Sequence, residues 1–336
     1  MEITATVPMR IDLAGGTLDV YPLYIFEGGG LTVNAAIDIR ATAVLRTRSD
    51  ARITIRSTDQ DEHEEIASFA ALDATHGITL VKRALAYYQP TMGLDIVVSS
   101  AAPRGSGIGA SSALLMALSH CLNTVTSRGL STQQIIDVGA NIEAQVISIP
   151  TGKQDYFPPN YGGVGAIWFG IDGWRHESLS TGNDLIDRLN RRIVVSYTGI
   201  PHSSAATNWA MLKAYIEREG DSAARMGEIK AISSAMRDCL SRQDLVQFPA
   251  LVDAEWKLRR GLAKGVSNPE IEAIMAAAAQ AGAQASKICG AGGGGCMITV
   301  AEPARVPAVR RALQAAGAAV LDAHLVAQGI DLQVIA

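Results

Sequence analysis

The sequence predicts a two-domain α+β protein, and three observations carry that reading. The chain has 336 residues, more than one hydrophobic core usually holds. Its first hundred residues are rich in Val, Ile, Thr and Ala in the patterns of strands. Its second half turns to helical periodicity, interrupted by short apolar strands. Hydrophobic residues make up 48% and charged residues 18%, the balance of a folded globular chain. Aromatic residues are only 5%, so the core must be built mainly from Ala, Leu, Ile and Val. The change of character falls near residues 170–190, which predicts domains of residues 1–180 and 181–336.

The elements follow in order. Residues 31–48 read as a long strand, and residues 51–58 alternate apolar and polar as a half-buried strand does. The acidic stretch 59–65 reads as a solvated loop. Residues 78–88 have helical spacing, and 94–99 form a short buried strand. A Gly-rich loop at 103–109 leads into residues 110–125, apolar enough to be a buried helix. Ser131 is placed to cap a helix running to about Ser148, which Pro150 and Gly152 end. Strands are expected at 164–169 and 193–197, helices through 203–264 and at 271–280. Two strands, 283–288 and 297–300, flank a second Gly-rich loop. A helix at 306–316 and strand-like segments close the chain.

Several function classes are disfavoured at once. Lys and Arg number 29 against 33 Asp and Glu, a formal net charge of −4, and no dense basic run appears. That speaks against a nucleic-acid partner. No apolar run approaches the ~20 residues of a membrane span. Met1-Glu2-Ile3-Thr4 lacks the basic-then-apolar order of a secretion signal, so a cytoplasmic enzyme is expected. Cys121, Cys239, Cys289 and Cys296 form no C-x-x-C pair and read as reduced, buried, structural residues.

Four segments carry chemistry. The central one is Pro103-Arg104-Gly105-Ser106-Gly107-Ile108-Gly109-Ala110-Ser111-Ser112. Alternating glycines let a backbone approach a ligand closely and take positive φ. The loop feeds a helix, whose first N–H groups and partial positive charge suit phosphate. Hydroxyls in that first turn suit a magnesium ion carried by the phosphate. No Gly-Lys-Ser/Thr follows, so this is not a Walker A loop. Gly105-x-Gly107-x-x-Ala110 fits a dinucleotide fingerprint, but no Asp or Glu occurs between Arg104 and Ile136 to bind a ribose. The second segment is Gly152-Lys153-Gln154-Asp155, with Glu143 twelve residues before Asp155 on the preceding helix. Two such carboxylates can divide the work, one holding Mg²⁺ and the other taking or orienting a hydroxyl proton. The third runs from Val7 to Asp19: Arg10 supplies fixed positive charge, and Gly16, Thr17 and Asp19 stand where a polyol would hydrogen-bond. The fourth, residues 287–296, has five glycines in the six positions 290–295, which implies close approach to another backbone or a ligand. Each segment by itself also fits a plain turn.

Together, in this order, the four resemble the GHMP small-molecule kinases over residues 7–297. The resemblance implies a fold with a ribosomal-protein-S5-like N-terminal domain that binds ATP and a ferredoxin-like α/β C-terminal domain. It implies ATP on the loop from Pro103 to Ser112, and Mg²⁺ on Ser111 and Glu143. Asp155 and Arg10 become catalytic, with Lys153 of the same turn counted beside them. Arg10, Gly16, Thr17, Asp19, Asp155, Gly199, His202, Gly292 and Gly293 become the substrate set. Within the family, Gly152-Lys153-Gln154-Asp155-Tyr156, Tyr197-Thr198-Gly199, Glu255-Trp256 and Ser267-Asn268-Pro269 resemble the kinases of D-glycero-D-manno-heptose 7-phosphate, which act on the anomeric hydroxyl. Gly15-Gly16-Thr17-Leu18-Asp19 departs from that branch by lacking one glycine. A small sugar or sugar phosphate is the expected partner, and Lys82, Arg83, Arg104 and Lys153 are the cations considered for a substrate phosphate. The alternatives are a kinase of another sugar or polyol, or a regulator that binds sugar or nucleotide without transfer. A homodimer is admitted, but the sequence does not set the assembly.

Overall fold

The computed structural model describes residues 1–182, 184–201 and 204–335. Strand β1 (Glu2–Ala14) leads into the short helix α1 (Leu23–Phe26) and the long strand β2 (Gly30–Thr47). There follow β3 (Ile53–Ser57), β4 (Glu62–Ile66), α2 (Thr79–Tyr88), β5 (Leu94–Ser100), α3 (Ala110–Val125) and α4 (Thr132–Ile147). Next come α5 (Phe157–Tyr161), β6 (Val164–Gly170), β7 (Gly173–Ser178), α6 (Leu185–Asn190) and β8 (Ile193–Tyr197). The remainder is α7 (Ser204–Ile216), α8 (Ser222–Ser241), α9 (Phe248–Arg259), α10 (Pro269–Gln280), β9 (Ala283–Ile288), β10 (Cys296–Ala301), α11 (Val306–Ala315), β11 (Ala319–Val320) and β12 (Asp331–Ile335).

Two sheets organise these elements. The first has the order β12-β1-β2-β5-β3-β4, with β6 on β2 and β7 on β6. Its pairs are antiparallel except β3 with β5. The second is antiparallel, in the order β11-β8-β10-β9. The chain therefore crosses to the second sheet at β8 and returns to the first with β12.

Local chemistry accounts for the main elements. Helix α3 is apolar almost all round, and ten of its residues are buried, so it packs as a core helix against β1 and β2. Ser131 caps α4 in a reciprocal box with Gln134. Asn268 caps α10, with Pro269 in its first turn. The first half of β1 alternates buried and half-buried residues, while from Val7 to Ala14 every residue is buried. That half lies among α3, α5, α8 and α9. One core fills the first sheet and its helices and extends to Met236, Phe248 and Val252. A second core, around Val194, Trp256 and Ile288, takes in Leu18, Val20 and Leu23. The segment after β1 is thus anchored in the second core.

Two expectations need correction. Part of the acidic stretch is strand β4, with Glu62, His63, Glu64 and Glu65 paired along β3. Strand β7 and the short helices α1, α5 and α6 add to the expected elements. The four cysteines are free and buried, as the sequence implied.

Candidate active site

A cleft of about 550 Å³ opens beside the Gly-rich loop that precedes α3. The Gly-rich loop before α3, the turn 150–155, the end of β1 and residues Gly290 and Ala291 all line it.

The loop presents main chain to the cleft. Gly105, Gly107 and Gly109 have φ of 64°, 66° and 76°, the left-handed region. Gly109 is the N-cap of α3, and no side chain caps that helix. Its first-turn amides are accordingly available to an anion. The second Gly-rich loop braces this one from behind. Cys296 N donates to Ser106 O at 2.6 Å. A Cβ on Gly295 would stand 2.6 Å from Ser106 O, and one on Gly290 3.0 Å from Gly107 O. Only glycine permits that contact between backbones.

Arg10 ties the loop to the turn. Its Nη1 donates to Gly107 O at 2.5 Å, and its Nε and Nη2 each lie 2.7 Å from Asp155 Oδ1. Arg10 is 3% exposed. Burial lowers its proton affinity, but Asp155 and Asp12 outweigh that and raise it, so the charge is fixed. The Asp155 side chain is 24% exposed and sits against the loop: a Cβ on Gly109 would lie 3.3 Å from its carboxyl carbon. A carboxylate is thus held beside an anion cradle with one edge open to the cleft.

Glu143 lies deeper. Ser112 Oγ donates to its Oε2 at 2.7 Å, and Tyr156 OH donates to the same oxygen. Burial pushes Glu143 above the usual carboxylate range, opposed by those two donors. Ser111 is exposed on the cleft wall beside it. Carboxylate and hydroxyl oxygens are the hard donors that Mg²⁺ takes when it shares a phosphate. Among the described residues no three His, Cys, Asp or Glu cluster as an all-protein metal site.

At the other end of the cleft Asp19 is 2% exposed. Its Oδ2 accepts from Gln154 N at 2.9 Å, while its Oδ1 has no partner among the described residues. Burial pushes its carboxyl up to about 6. Gly152 packs on it so closely that a Cβ would stand 2.1 Å from Oδ2. Thr17 and Asn208 complete this end, with Thr17 Oγ1 donating to Asn208 Oδ1 at 3.4 Å.

The family model for the GHMP kinases N terminal domain matches residues 79–163, and that for GHMP kinases C terminal matches residues 236–319. The chain belongs to the GHMP kinases. As a GHMP kinase it is similar to a D-glycero-alpha-D-manno-heptose 7-phosphate kinase of Campylobacter jejuni, 25% identical over 335 residues and covering 98% of each chain. It is also similar to a mevalonate kinase of Pyrococcus horikoshii, 26% identical over 312 residues, 91% of this chain and 86% of the other. Its fold matches that of a solved structure described as a D-glycero-D-manno-heptose 1-phosphate kinase from Bacteriodes thetaiotaomicron, with a TM-score of 0.81, 23% identity and 99% of each chain covered.

The cleft of this GHMP kinase gathers most of the residues singled out from sequence. Arg10, Thr17, Asp19, Glu143, Asp155 and all of residues 103–112 except the buried Ile108 line it. Lys153 does not: its ammonium pairs with Asp137 at 2.8 Å. Gly16, Gly199, Gly292 and Gly293 also lie off the lining. Gly292 and Gly293 pack on Val266 instead, and Gly16 O accepts from Arg259. His202 lies outside the described residues. Of the four cations considered for a substrate phosphate, Lys82 pairs with Glu64 at 2.8 Å and Arg83 is off the lining; only Arg104 reaches the cleft.

Sequence reading missed Tyr156 as a partner of Glu143, Asn208, the cleft-lining Asp59 and Gln60, and a buried ion network. In that network Lys287 Nζ lies 2.5 Å from Asp12 Oδ2 and 3.3 Å from Glu255 Oε2, and Glu255 lies 2.6 Å from Arg259 Nη2. Asp12 Oδ1 also accepts from Gly290 N at 2.6 Å. Burial pushes Asp12 up, but Lys287, Arg10 and Arg259 outweigh it and hold it below the usual carboxylate range. The signal was available: Asp12 stands between Ile11 and Leu13, and Lys287 precedes Ile288, charged residues inside apolar strands.

Proposed function

We propose that this GHMP kinase transfers the γ-phosphoryl group of ATP, with Mg²⁺, to a hydroxyl of a small sugar. The acceptor favoured is the anomeric hydroxyl of D-glycero-D-manno-heptose 7-phosphate or a related sugar phosphate. The observation that carries the transfer chemistry is Asp155, locked by Arg10 to the very loop that cradles phosphate. Similarity to the heptose 7-phosphate kinase over 98% of both chains supports the acceptor.

In this reading residues 1–180 carry ATP and residues 181–336 close the acceptor end. The amides of the loop and of the first turn of α3 bind the phosphates. Ser111 and Glu143 would hold Mg²⁺, which would neutralise charge on the transferring group. Asp155 accepts the proton of the acceptor hydroxyl or orients its oxygen. Arg10 fixes the direction of that carboxylate and adds positive charge between loop and acceptor. Asp19, with a buried oxygen that has no partner among the described residues, accepts hydroxyl hydrogen bonds from the sugar. Phosphoryl transfer asks little covalent chemistry of a protein, so positioning and charge supply most of the acceleration. A cytoplasmic setting fits an enzyme of this class; among the described residues no helix is long and apolar enough to cross a membrane.

The test is ADP release over a panel of free hexoses, free heptoses, their terminal phosphates and mevalonate. Release with a sugar or sugar phosphate supports the reading. Release with mevalonate alone moves the acceptor to another branch of the family. Nucleotide binding without release on any acceptor favours a regulator.

A further inference from the structure

We propose that Arg259 is a positioning residue for the acceptor: it reaches across from α9 and clamps the loop at Thr17, fixing the acceptor end of the cleft. This rests on the acceptor reading of that end given above. Thr17 is β-branched, yet its φ is 76°, in the left-handed region that side chains of its type rarely adopt. It is 3% exposed and lines the cleft. A residue so placed persists only where its surroundings over-determine it, and such positions gather at ligand sites.

The surroundings do so here. Arg259 is fully buried. Its Nη2 donates to Gly16 O at 2.6 Å and its Nη1 to Thr17 Oγ1 at 3.3 Å. Its other edge is held by Glu255, with Nε donating to Oε1 at 2.7 Å. Glu255 is steadied in turn by Lys287, and Lys287 by Asp12 at the end of β1. The guanidinium fork therefore grips the two residues that open the turn, and its anchor leads back to the strand that carries Arg10. From Thr17 the chain makes two tight turns, Leu18 N to Gly15 O and Val20 N to Thr17 O, both 3.1 Å. Asp19 lies within them. Where Thr17 goes, Asp19 goes, and with it the unpartnered carboxylate oxygen.

Arg259 touches no reacting atom, so its effect must appear in acceptor binding and not in nucleotide binding. The test uses Arg259→Lys, Thr17→Val and Thr17→Ser in the full chain. Lysine keeps the charge toward Glu255 but loses the two-pronged grip. Valine keeps the branched shape and loses the hydroxyl; serine keeps the hydroxyl. Two readouts are taken. Hydrogen exchange is followed at residues 15–20 and, for comparison, at residues 105–112. Steady-state KM values for acceptor and ATP are measured on the panel above.

Arg259→Lys and Thr17→Val are expected to speed exchange at 15–20 at least tenfold while leaving 105–112 unchanged. They raise the acceptor KM about tenfold and leave the ATP KM within twofold; Thr17→Ser, which keeps the hydroxyl, keeps exchange at 15–20 within threefold of the parent. If Arg259→Lys does not fold, Thr17→Val decides alone. Unchanged exchange at 15–20, or a fall in thermal stability with both KM values intact, overturns the proposal. Failure of the parent enzyme on every acceptor is a separate result: it overturns the acceptor reading, while the exchange data still judge the clamp.

Discussion

The brace behind the phosphate loop makes a quantitative prediction through Gly295→Ala. Gly295 has φ of 79°, so any L side chain there carries left-handed strain of about 1–2 kcal/mol. The added Cβ would also stand 2.6 Å from Ser106 O and 2.8 Å from Ser106 C. Both are main-chain atoms, which cannot swing aside as a side-chain tip would. Ser106 O is the acceptor of the 2.6 Å bond from Cys296 N. Displacing it breaks a buried hydrogen bond, at about 1–3 kcal/mol. Gly317→Ala is the control, because Gly317 has φ of 93° and nothing within 4 Å of a Cβ. Strain is common to both variants, and the clash belongs to one. Denaturant unfolding should show Gly295→Ala about 1–3 kcal/mol less stable than Gly317→Ala. Calorimetric titration with a non-hydrolysable ATP analogue should show affinity about tenfold weaker, roughly 1.4 kcal/mol, for Gly295→Ala alone. Equal stability and equal nucleotide affinity in the two variants would refute the idea that the second Gly-rich loop holds the first in shape.

The other expectations are these. Asp155→Asn should lower turnover by about a thousandfold or more while the nucleotide Kd moves less than threefold, measured by ADP release and by titration; near-normal turnover removes Asp155 from the chemistry. Lys287→Met leaves Asp12 and Glu255 buried without their cation and should cost about 3–5 kcal/mol in unfolding experiments. Burial raises Asp19 from 3.8 to about 6, so between those values the folded chain keeps a proton that the unfolded chain has lost. Stability should therefore fall as pH rises from about 4 to 6, by up to about 3 kcal/mol, and level off above. Ionised Asp19 is the better acceptor of hydroxyl hydrogen bonds, so acceptor KM should rise as pH falls below about 6. Asp19→Asn should flatten both profiles, and a wild-type acceptor KM constant from pH 5 to 7.5 speaks against the assignment.

What could be read from sequence was what is local. Helix α3 and the cap at Ser131 follow from spacing and from one residue type at one place. The two Gly-rich loops announced themselves because so many glycines are conformationally costly without a reason. Their mutual contact lies nearly two hundred residues apart in the chain, and no local pattern encodes it. The same holds for Arg259 and Thr17, separated by 242 positions. Charged residues inside apolar strands hinted at partners, but not at which ones. Lys153 misled because adjacency to Asp155 suggested a shared task. On a short 3-10 turn successive side chains diverge, and Lys153 turns to Asp137 on α4. The acidic stretch is solvated as its charges suggested, but it is not all loop: residues 62–65 pair along β3, and Glu64, half-buried, pairs with the buried Lys82 and accepts from Ile78 N. The segment 15–19 lacks one glycine of the pattern it resembles, and Thr17 within it adopts a φ natural to glycine.

The most direct test of the whole account is a crystal structure of the protein with magnesium and a non-hydrolysable ATP analogue. Its phosphates should lie on the main-chain amides of residues 105–112, with the metal between them, Ser111 and Glu143, and Asp155 facing the terminal phosphate. Phosphates bound elsewhere, or a terminal phosphate turned away from Asp155, would contradict it.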